Sequence, residues 1–366
     1  MKKLIWTLVI LVIVAIFGGR AWWLYQHKQT DSNVVKIGLL TFDTGLYAEF
    51  GQALDKGAIL AVEEYNKSNS GIKLDLVIED GKGQAKDAIN AFNRLIAQKP
   101  NALIIGGENQ VPPVAPMLKN IPAVLTSVTT LGFLKHNQDN LMFLINPSAN
   151  NVGYAMGEYA NKKLNLKNIA ILSLNSSYGK ESAEGFISGF GKQPIIWEQF
   201  KDTNLTTRDQ IVKILAENPD GVYVVGHGPG FPNAFKQLKE QKYTGVIMSD
   251  YTVADEDLAD GTGIYFSAMD DTNVMEYVDA FEKKYFDRFK EKATEHSKLG
   301  YDAVRVIITA IENRGKTSND IKKGLMDIKD MNTFFGKMKL NNNGTSEFQM
   351  TIKQLQPDGT AKIVKE

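Results

Sequence analysis

The stretch from residue 38 to residue 66, GLLTFDTGLYAEFGQALDKGAILAVEEYN, decides the fold of this chain. It begins in an apolar run that predicts a β-strand. It ends in a segment whose apolar residues recur at helical spacing: Leu54, Ala58, Ala61 and Tyr65. The loop between them contains two threonines, an aspartate, a tyrosine and glycines. Three roles are open for such a loop: a phosphate cradle, a catalytic corner, or the rim of a site that binds a ligand without changing it.

The same alternation of strand and helix continues along the chain. Apolar runs such as ALIIGG and NIAILSL are separated by helical segments, and the pattern restarts after Pro147. Strands that alternate with helices predict parallel sheets covered on both faces. Two such series predict an α/β protein with two doubly wound lobes. The last third predicts long helices, Val274 to Lys290 and Ser297 to Asn313, and then short strands with Asn-Gly and Asp-Gly turns.

Composition excludes several classes of function. The 366 residues are too many for one typical core, which agrees with two lobes. Lys and Arg together number 42, as do Asp and Glu, so the formal net charge is zero and nothing favours a nucleic-acid partner. The chain has no cysteine, which excludes disulfides, thiol catalysis and cysteine metal sites.

The N-terminus predicts a segment that meets a membrane. It has two lysines followed by an unbroken apolar run from Leu4 to Phe17. A cleaved secretory signal is one interpretation, with Gly18 to Ala21 as the nearest approach to a cleavage site. An uncleaved helix from Leu4 to Tyr25 is the other, with the neighbouring tryptophans at the interface. We expect residues 1–33 to be an anchor or signal segment with a tether. The remainder then lies outside the cytoplasm, in the periplasm or on the outer face of the membrane.

Known catalytic and phosphate-binding motifs are missing. The sequence has no G-x-G-x-x-G that opens a helix, no G-x-x-x-x-G-K-[ST] and no G-x-S-x-G elbow. No pair of histidines has the spacing of metal ligands, and His227 is the only histidine in a candidate loop. We therefore expect no enzyme activity, no cofactor and no metal.

Hydroxyls, amides and aromatic rings follow the predicted strands. In an open parallel sheet, ligands bind beyond the carboxyl ends of the strands. Threonine and serine from Thr126 to Thr130 offer hydroxyl groups, although each of them could equally cap a helix. Asp250 and Glu108 could pair with an ammonium group. Such a set binds a small polar or zwitterionic molecule and performs no bond chemistry.

The chain resembles the type I periplasmic binding proteins, specifically the branched-chain amino-acid receptors of ABC transporters. The segments that carry the resemblance include VKIGLLTFDTGLYAEFGQALDKGAILAVEEYN, PAVLTSVTT, IAILSLNSSYGKESAEGF and FFGKMKLNNNGT. The resemblance implies a two-lobe clamp with a three-stranded hinge, crossed near residues 146–147, 268–272 and 330–334. The first lobe would hold residues 34–146 and 270–328, and the second lobe residues 147–269 and 329–366.

The resemblance also implies contacts to an amino acid in the cleft. Thr130 matches a carboxylate-binding threonine, and Tyr178 matches an aromatic residue of the second lobe. The chain departs from the family at Glu108-Asn109-Gln110, where a serine-rich loop is usual, and Asp250 stands near the position of the amine-binding acid. The expected ligand-binding residues are Thr130, Val128, Tyr178, Asp250, Tyr301, Asn109, Tyr47 and Tyr251.

Two functions fit these expectations. In the first, the protein captures a small molecule, closes around it by hinge rotation, and delivers it to an ABC permease in the membrane. In the second, a ligand-sensing ectodomain of the same fold signals to a membrane or soluble partner without transport. A cytoplasmic repressor is disfavoured, because a membrane-type segment stands where a DNA-binding domain would be expected.

Overall fold

The structure is a computed structural model that describes residues 33–45, 47–68, 71–201, 203–255, 258, 262–270 and 272–364. The expected anchor or signal segment spans residues 1–33, of which residues 1–32 lie outside the described residues. Within the described ranges, no helix has both the length and the apolar character that a membrane crossing requires.

The first lobe is built on a five-stranded sheet with the order β2-β1-β3-β4-β5. All its strand pairs are parallel. The strand β3 is buried along its whole length, which explains its continuous apolar run. The elements are β1 (Val34–Thr41), α1 (Ala48–Lys67), β2 (Lys73–Asp80), α2 (Ala85–Ala97), β3 (Ala102–Gly106), α3 (Val111–Val114), β4 (Ala123–Thr126) and β5 (Met142–Leu144).

Helices from the C-terminal third complete this lobe. They are α8 (Met275–Phe289), α9 (Glu295–Arg314) and α10 (Ser318–Met326). Glycines let α1 and α9 approach closely: a Cβ added at Gly300 would lie 1.9 Å from the carbonyl oxygen of Leu54. Both helices contribute buried side chains to one core that also contains Val35, Ile37 and Leu39 of β1.

The second lobe is built on a seven-stranded sheet with the order β15-β14-β10-β9-β8-β6-β7. Strands β6 to β10 pair in parallel, and β14 and β15 add an antiparallel edge. The elements are α4 (Ala149–Lys162), β6 (Ile169–Leu174), α5 (Ser177–Phe190), β7 (Ile196–Phe200), α6 (Arg208–Ala216), β8 (Gly221–Val225), α7 (Gly230–Glu240), β9 (Val246–Asp250), β10 (Tyr265–Met269), β14 (Met350–Leu355) and β15 (Ala361–Ile363).

A small antiparallel sheet corrects the expected lobe boundary. It consists of β11 (Met331–Thr333), β12 (Gly336–Leu340) and β13 (Ser346–Phe348). Its apolar side chains, Phe334 among them, lie in the first-lobe core, and Asp302 of α9 accepts a 2.7 Å hydrogen bond from the Phe334 N–H. The assignment of residues 331–348 to the second lobe is therefore wrong. Only β14 and β15 join the second sheet.

Three neighbouring segments connect the lobes. The chain passes from β5 to α4 around residues 145–148, from β10 to α8 around residues 270–274, and from β13 to β14 at Gln349. Ser346 Oγ donates a 2.6 Å hydrogen bond to the carbonyl of Asn146, and the Asp270 N–H donates a 2.9 Å bond to the carbonyl of Gln349. The third crossing thus lies after the small sheet and not at residues 330–334.

A candidate ligand-binding cleft

A cavity of about 740 Å³ lies between the two lobes. Its walls come from loops after β1, β3 and β4 of the first lobe and after β6, β8 and β9 of the second. The carboxyl ends of both sheets therefore face each other across it, as expected for ligand sites of open α/β sheets. The lining residues are Phe42, Tyr47, Phe50, Gly83, Gly107, Glu108, Asn109, Ser127, Thr129, Tyr178, Thr203, His227, Gly228, Pro229, Tyr251, Thr252 and His296.

Aromatic rings form the first-lobe wall. The rings of Phe50 and His296 stack with centroids 4.4 Å apart and planes 6° apart, and Tyr47 stacks on Phe50 at 6.0 Å. Tyr47 and Phe50 lie at the start of α1, and His296 lies in the first turn of α9. Burial lowers the pKa of His296 to about 4, so this ring is neutral at neutral pH. The wall therefore offers flat, uncharged surfaces.

Glu108 places a carboxyl group in the same wall. It follows β3 in a short 3-10 turn that begins after Gly107, whose φ of +81° favours glycine. Its carboxylate accepts hydrogen bonds from the Thr130 hydroxyl and from the backbone of Thr129. Burial raises the pKa of Glu108, and the hydrogen bond from Thr130 opposes that rise. A half-buried carboxyl group thus occupies two donors of the loop after β4, the Thr130 hydroxyl and the Thr129 backbone.

Tyr178 contributes the second-lobe side of the cleft. It lies in the first turn of α5, where Ser176 caps the helix by accepting a hydrogen bond from the Gly179 N–H. Its hydroxyl donates to the carboxylate of Asp250, which also accepts bonds from the backbone and the hydroxyl of Thr252. Asp250 is fully buried, and burial raises its pKa to about 6. Asp250 therefore positions Tyr178, and its expected contact with a ligand ammonium group stays a prediction.

A hydrogen bond between described residues joins the lobes across the cleft. Glu181 of α5 accepts a 2.7 Å bond from the backbone N–H of Leu131, which begins a 3-10 turn in the first lobe. Burial raises the pKa of Glu181, and the charge of Lys135 opposes that rise. This contact holds the rims of the two lobes together.

Six of the expected residues lie at the cleft. Asn109, Tyr47, Tyr178 and Tyr251 line the main cavity, while Thr130 and Val128 line an adjoining cavity of about 600 Å³ that shares Glu108 and Asn109 with it. Sequence reasoning missed Phe50 and His296. Phe50 follows Tyr47 by three residues, a spacing that places both on one face of a helix and could have indicated it.

Tyr301 corrects the expectation for this site. It lies on α9 within the first-lobe core, packs edge-on against Phe281 with ring centroids 4.9 Å apart, and donates its hydroxyl to Glu64. It lies on neither of the two cavities described above. The side chain faces α1 and α8 because it belongs to the apolar stripe of α9, so its assignment to the cleft is wrong.

The comparison with known families identifies the chain. A model of the family described as periplasmic binding protein matches residues 34–360. The chain belongs to this family. An amino acid binding protein of Pseudomonas aeruginosa is 25% identical over 259 residues, which cover 69% of this chain and 68% of that protein.

Solved structures show the same fold in two further proteins. The branched-chain amino acid transporter substrate binding protein LivJ of Streptococcus pneumoniae, in complex with isoleucine, has a TM-score of 0.73 at 23% identity, covering 91% of this chain and 100% of that one. A solute binding protein of an ABC transporter from Rhodopseudomonas palustris, in complex with 3,4-dihydroxy benzoic acid, has a TM-score of 0.73 at 16% identity, covering 89% and 94%.

As a periplasmic binding protein, the chain is expected to use its cleft for binding. Membership of the family implies an extracytoplasmic location. Within the described residues, no group of three histidine or acidic side chains is arranged to hold a metal ion. The polar groups at the cleft are mainly hydroxyls, amides and the Glu108 carboxyl group, which are suited to hydrogen bonding with a ligand.

Proposed function

We propose that this protein captures a small molecule in the interlobe cleft and delivers it to an ABC permease. The ligand class that we propose is an amino acid or a related amide or carboxylate. The observation that carries the proposal is the cavity of about 740 Å³, because both lobes supply its walls. A molecule of amino-acid size fits within it and touches both lobes at once.

Contact with both lobes gives the ligand a means to drive closure. A ligand shifts a conformational equilibrium only by its difference in affinity for the two states. In the open clamp it touches one lobe, and rotation about the three crossing segments adds the contacts of the other. We propose that Tyr47 and Asn109 receive the ligand on the first lobe, and that Tyr178 and Tyr251 add the contacts that favour closure.

We also propose that the N-terminal segment tethers the protein to the membrane. The proposal is supported by the apolar run from Leu4 to Phe17 and the preceding lysines. Fractionation of cells that express the full chain tests it. An uncleaved anchor leaves the protein in the membrane fraction with Met1 or Lys2 at its N-terminus. A soluble protein that begins after residue 18 would refute the anchor.

A thermal-shift screen of the purified full chain in mild detergent tests ligand binding. The panel contains amino acids, short amides, urea, small carboxylates and sugars. A ligand at one hundred times its dissociation constant adds about 2.7 kcal/mol to the unfolding free energy. We expect Tyr251→Ala and Asn109→Ala to abolish the shift. Tyr154→Ala is the matched control, because Tyr154 is an exposed tyrosine of α4 that does not line the cleft. If no compound shifts the midpoint, the solute-binding proposal is wrong.

A further inference from the structure

We infer that the ligand presents an organic cation, and not a free carboxylate, to the first lobe, with Glu108 as the residue that sets this specificity. The inference rests on the proposed capture of a small molecule and replaces its amino-acid or carboxylate class with amines, amidines or guanidines, including amino-acid derivatives whose carboxylate is absent or blocked. Four observations carry it.

Three of the donors that a ligand carboxylate could use are already occupied, and the hydroxyl of Ser127 in the main cavity is a donor of this region that has no partner among the described residues. They lie in the loop after β4. The Thr130 hydroxyl and the Thr129 backbone serve Glu108, and the Leu131 N–H serves Glu181 at 2.7 Å. Two carboxylates of the protein therefore take one donor from each of three consecutive residues. A ligand carboxylate that used one of these three donors would have to displace a carboxylate of the protein.

The charges around the cavity disfavour an anion. Among the described residues that line the main cavity, none is a lysine or an arginine, and Glu108 is the only acidic residue. His296 is neutral at neutral pH because burial lowers its pKa to about 4. Lys135 lines the adjoining cavity but not the main one, and its charge acts on Glu181. A buried carboxylate without a cation is unfavourable, and a ligand cation supplies the missing charge.

Asp250 adds a further negative charge on the second lobe. It is fully buried and accepts a hydrogen bond from the Tyr178 hydroxyl. Tyr178 lines the cavity, so the Asp250 carboxylate is separated from the cavity by the Tyr178 side chain. Its effect at this distance is electrostatic and needs no direct contact. Both lobes therefore present the same sign of charge to the cavity, which attracts a cation and opposes a carboxylate.

Aromatic rings suit the body of such a ligand. Tyr47, Phe50 and His296 form a stack on the first lobe, and Tyr178 and Tyr251 line the second. The faces of aromatic rings attract organic cations as well as apolar groups. A cation with an apolar or aromatic body fits both the charge and the walls.

Matched probes that differ only in their headgroup test the inference. The three series are leucine, leucinamide and isoamylamine; phenylalanine, phenylalaninamide and phenethylamine; and arginine and agmatine, with 3-phenylpropionate as an anion. Dissociation constants are measured at pH 7.5 by calorimetry on the full chain in mild detergent. In the series that binds, we expect the compound without a carboxylate to bind at least about tenfold more tightly than its carboxylate counterpart.

Glu108→Gln is the deciding variant. It keeps the shape of the side chain and removes its charge, so we expect the preference for the cation to fall by at least about tenfold. Glu184→Gln is the matched control, because Glu184 is an exposed glutamate of α5 that does not line the cleft. We expect it to change the preference less than about twofold.

The outcomes separate this inference from the proposed function. If free amino acids or 3-phenylpropionate bind as tightly as their cationic counterparts, the inference is wrong and the solute-binding function stands. An unchanged preference in Glu108→Gln likewise refutes the role of Glu108. If neither these probes nor the wider screening panel bind, both the inference and the proposed function are wrong.

Discussion

Asp55 provides a test of the electrostatics beside the cleft. It lies on α1 with only 8% of its surface exposed, and its Oδ1 atom has no hydrogen-bond partner among the described residues. Burial, together with the charge of Asp43, raises the pKa of Asp55 to about 8. Asp43 and Asp55 therefore bind one proton between them at neutral pH, and this proton lies on Asp55. We predict that Asp55→Asn stabilises the protein, and that it does so only above mildly acidic pH.

The sign follows from proton binding in the two states. In the unfolded chain Asp55 ionises near pH 4, whereas in the folded protein it holds its proton up to about pH 8. The folded state binds more protons over this range, so the unfolding free energy falls as the pH rises from 4 to 8. A shift of about four pKa units at 1.36 kcal/mol each sets a ceiling of about 5 kcal/mol. The Asp55→Asn variant does not lose this unfolding free energy between pH 4 and pH 8, because asparagine does not ionise.

Urea unfolding followed by circular dichroism measures the effect between pH 4.5 and pH 8.5. We expect the unfolding free energies of Asp55→Asn and the unmodified protein to agree within about 1 kcal/mol at pH 4.5 and to differ by about 2–5 kcal/mol at pH 8.5. Asp279→Asn is the control, because Asp279 is an exposed residue of α8. Parallel pH profiles for Asp55→Asn and the unmodified protein would refute the assignment of the proton to Asp55.

Three further substitutions test packing and hydrogen bonding by the same unfolding assay. Gly300→Ala should lose about 3 kcal/mol or more, because its Cβ would lie 1.9 Å from the Leu54 carbonyl oxygen and force α1 away from α9. Asn137→Ala should lose about 2–4 kcal/mol, since this buried side chain donates to two backbone carbonyls at 2.8 Å. Tyr178→Phe should lose about 1–3 kcal/mol by removing one of the donors to buried Asp250, which keeps those of Thr252.

Matched control substitutions separate these effects from non-specific destabilisation of the folded protein. Gly132→Ala places a Cβ no closer than 3.8 Å to any neighbour. Asn273→Ala and Tyr154→Phe alter exposed positions. Each control should stay within about 0.5 kcal/mol of the unmodified protein. A test substitution that behaves like its control would refute the contact on which it depends.

The fold class could be predicted from the sequence because its signals are local. A continuous apolar run such as residues 102–106 indicates a strand covered on both faces, and the structure confirms a parallel sheet there. The lobe of the small sheet β11–β13 could not be predicted. Buried and exposed residues alternate along its strands, so the sheet buries one face. The core on which that face packs is fixed by contacts such as the hydrogen bond between Asp302 and Phe334. That contact is set by tertiary packing and leaves no local pattern.

The candidate site also combines residues whose position the sequence predicts with residues whose position it does not. Tyr301, Val304 and Ile308 recur at helical spacing, which indicates that they face the core. The structure agrees with this spacing and not with the resemblance, which implies that Tyr301 lies in the cleft. Phe50 and His296 belong to segments far apart in the chain. They stack only because glycines bring α1 and α9 into backbone contact. A pair formed in this way has no signature in either segment alone.

The late position of α9 and β14 has a consequence for how the molecule is assembled. During synthesis, the first sheet is complete once residue 144 has been made, but the helix that covers one of its faces follows more than a hundred residues later. The second sheet similarly waits for β14 to cover the edge of β10. Neither lobe corresponds to a continuous segment of the chain. Fragments that end at residue 146 or 269 therefore lack the helices or strands that cover their apolar sheet surfaces. The first lobe is complete only after β13 has been made, and the second only after β14 and β15.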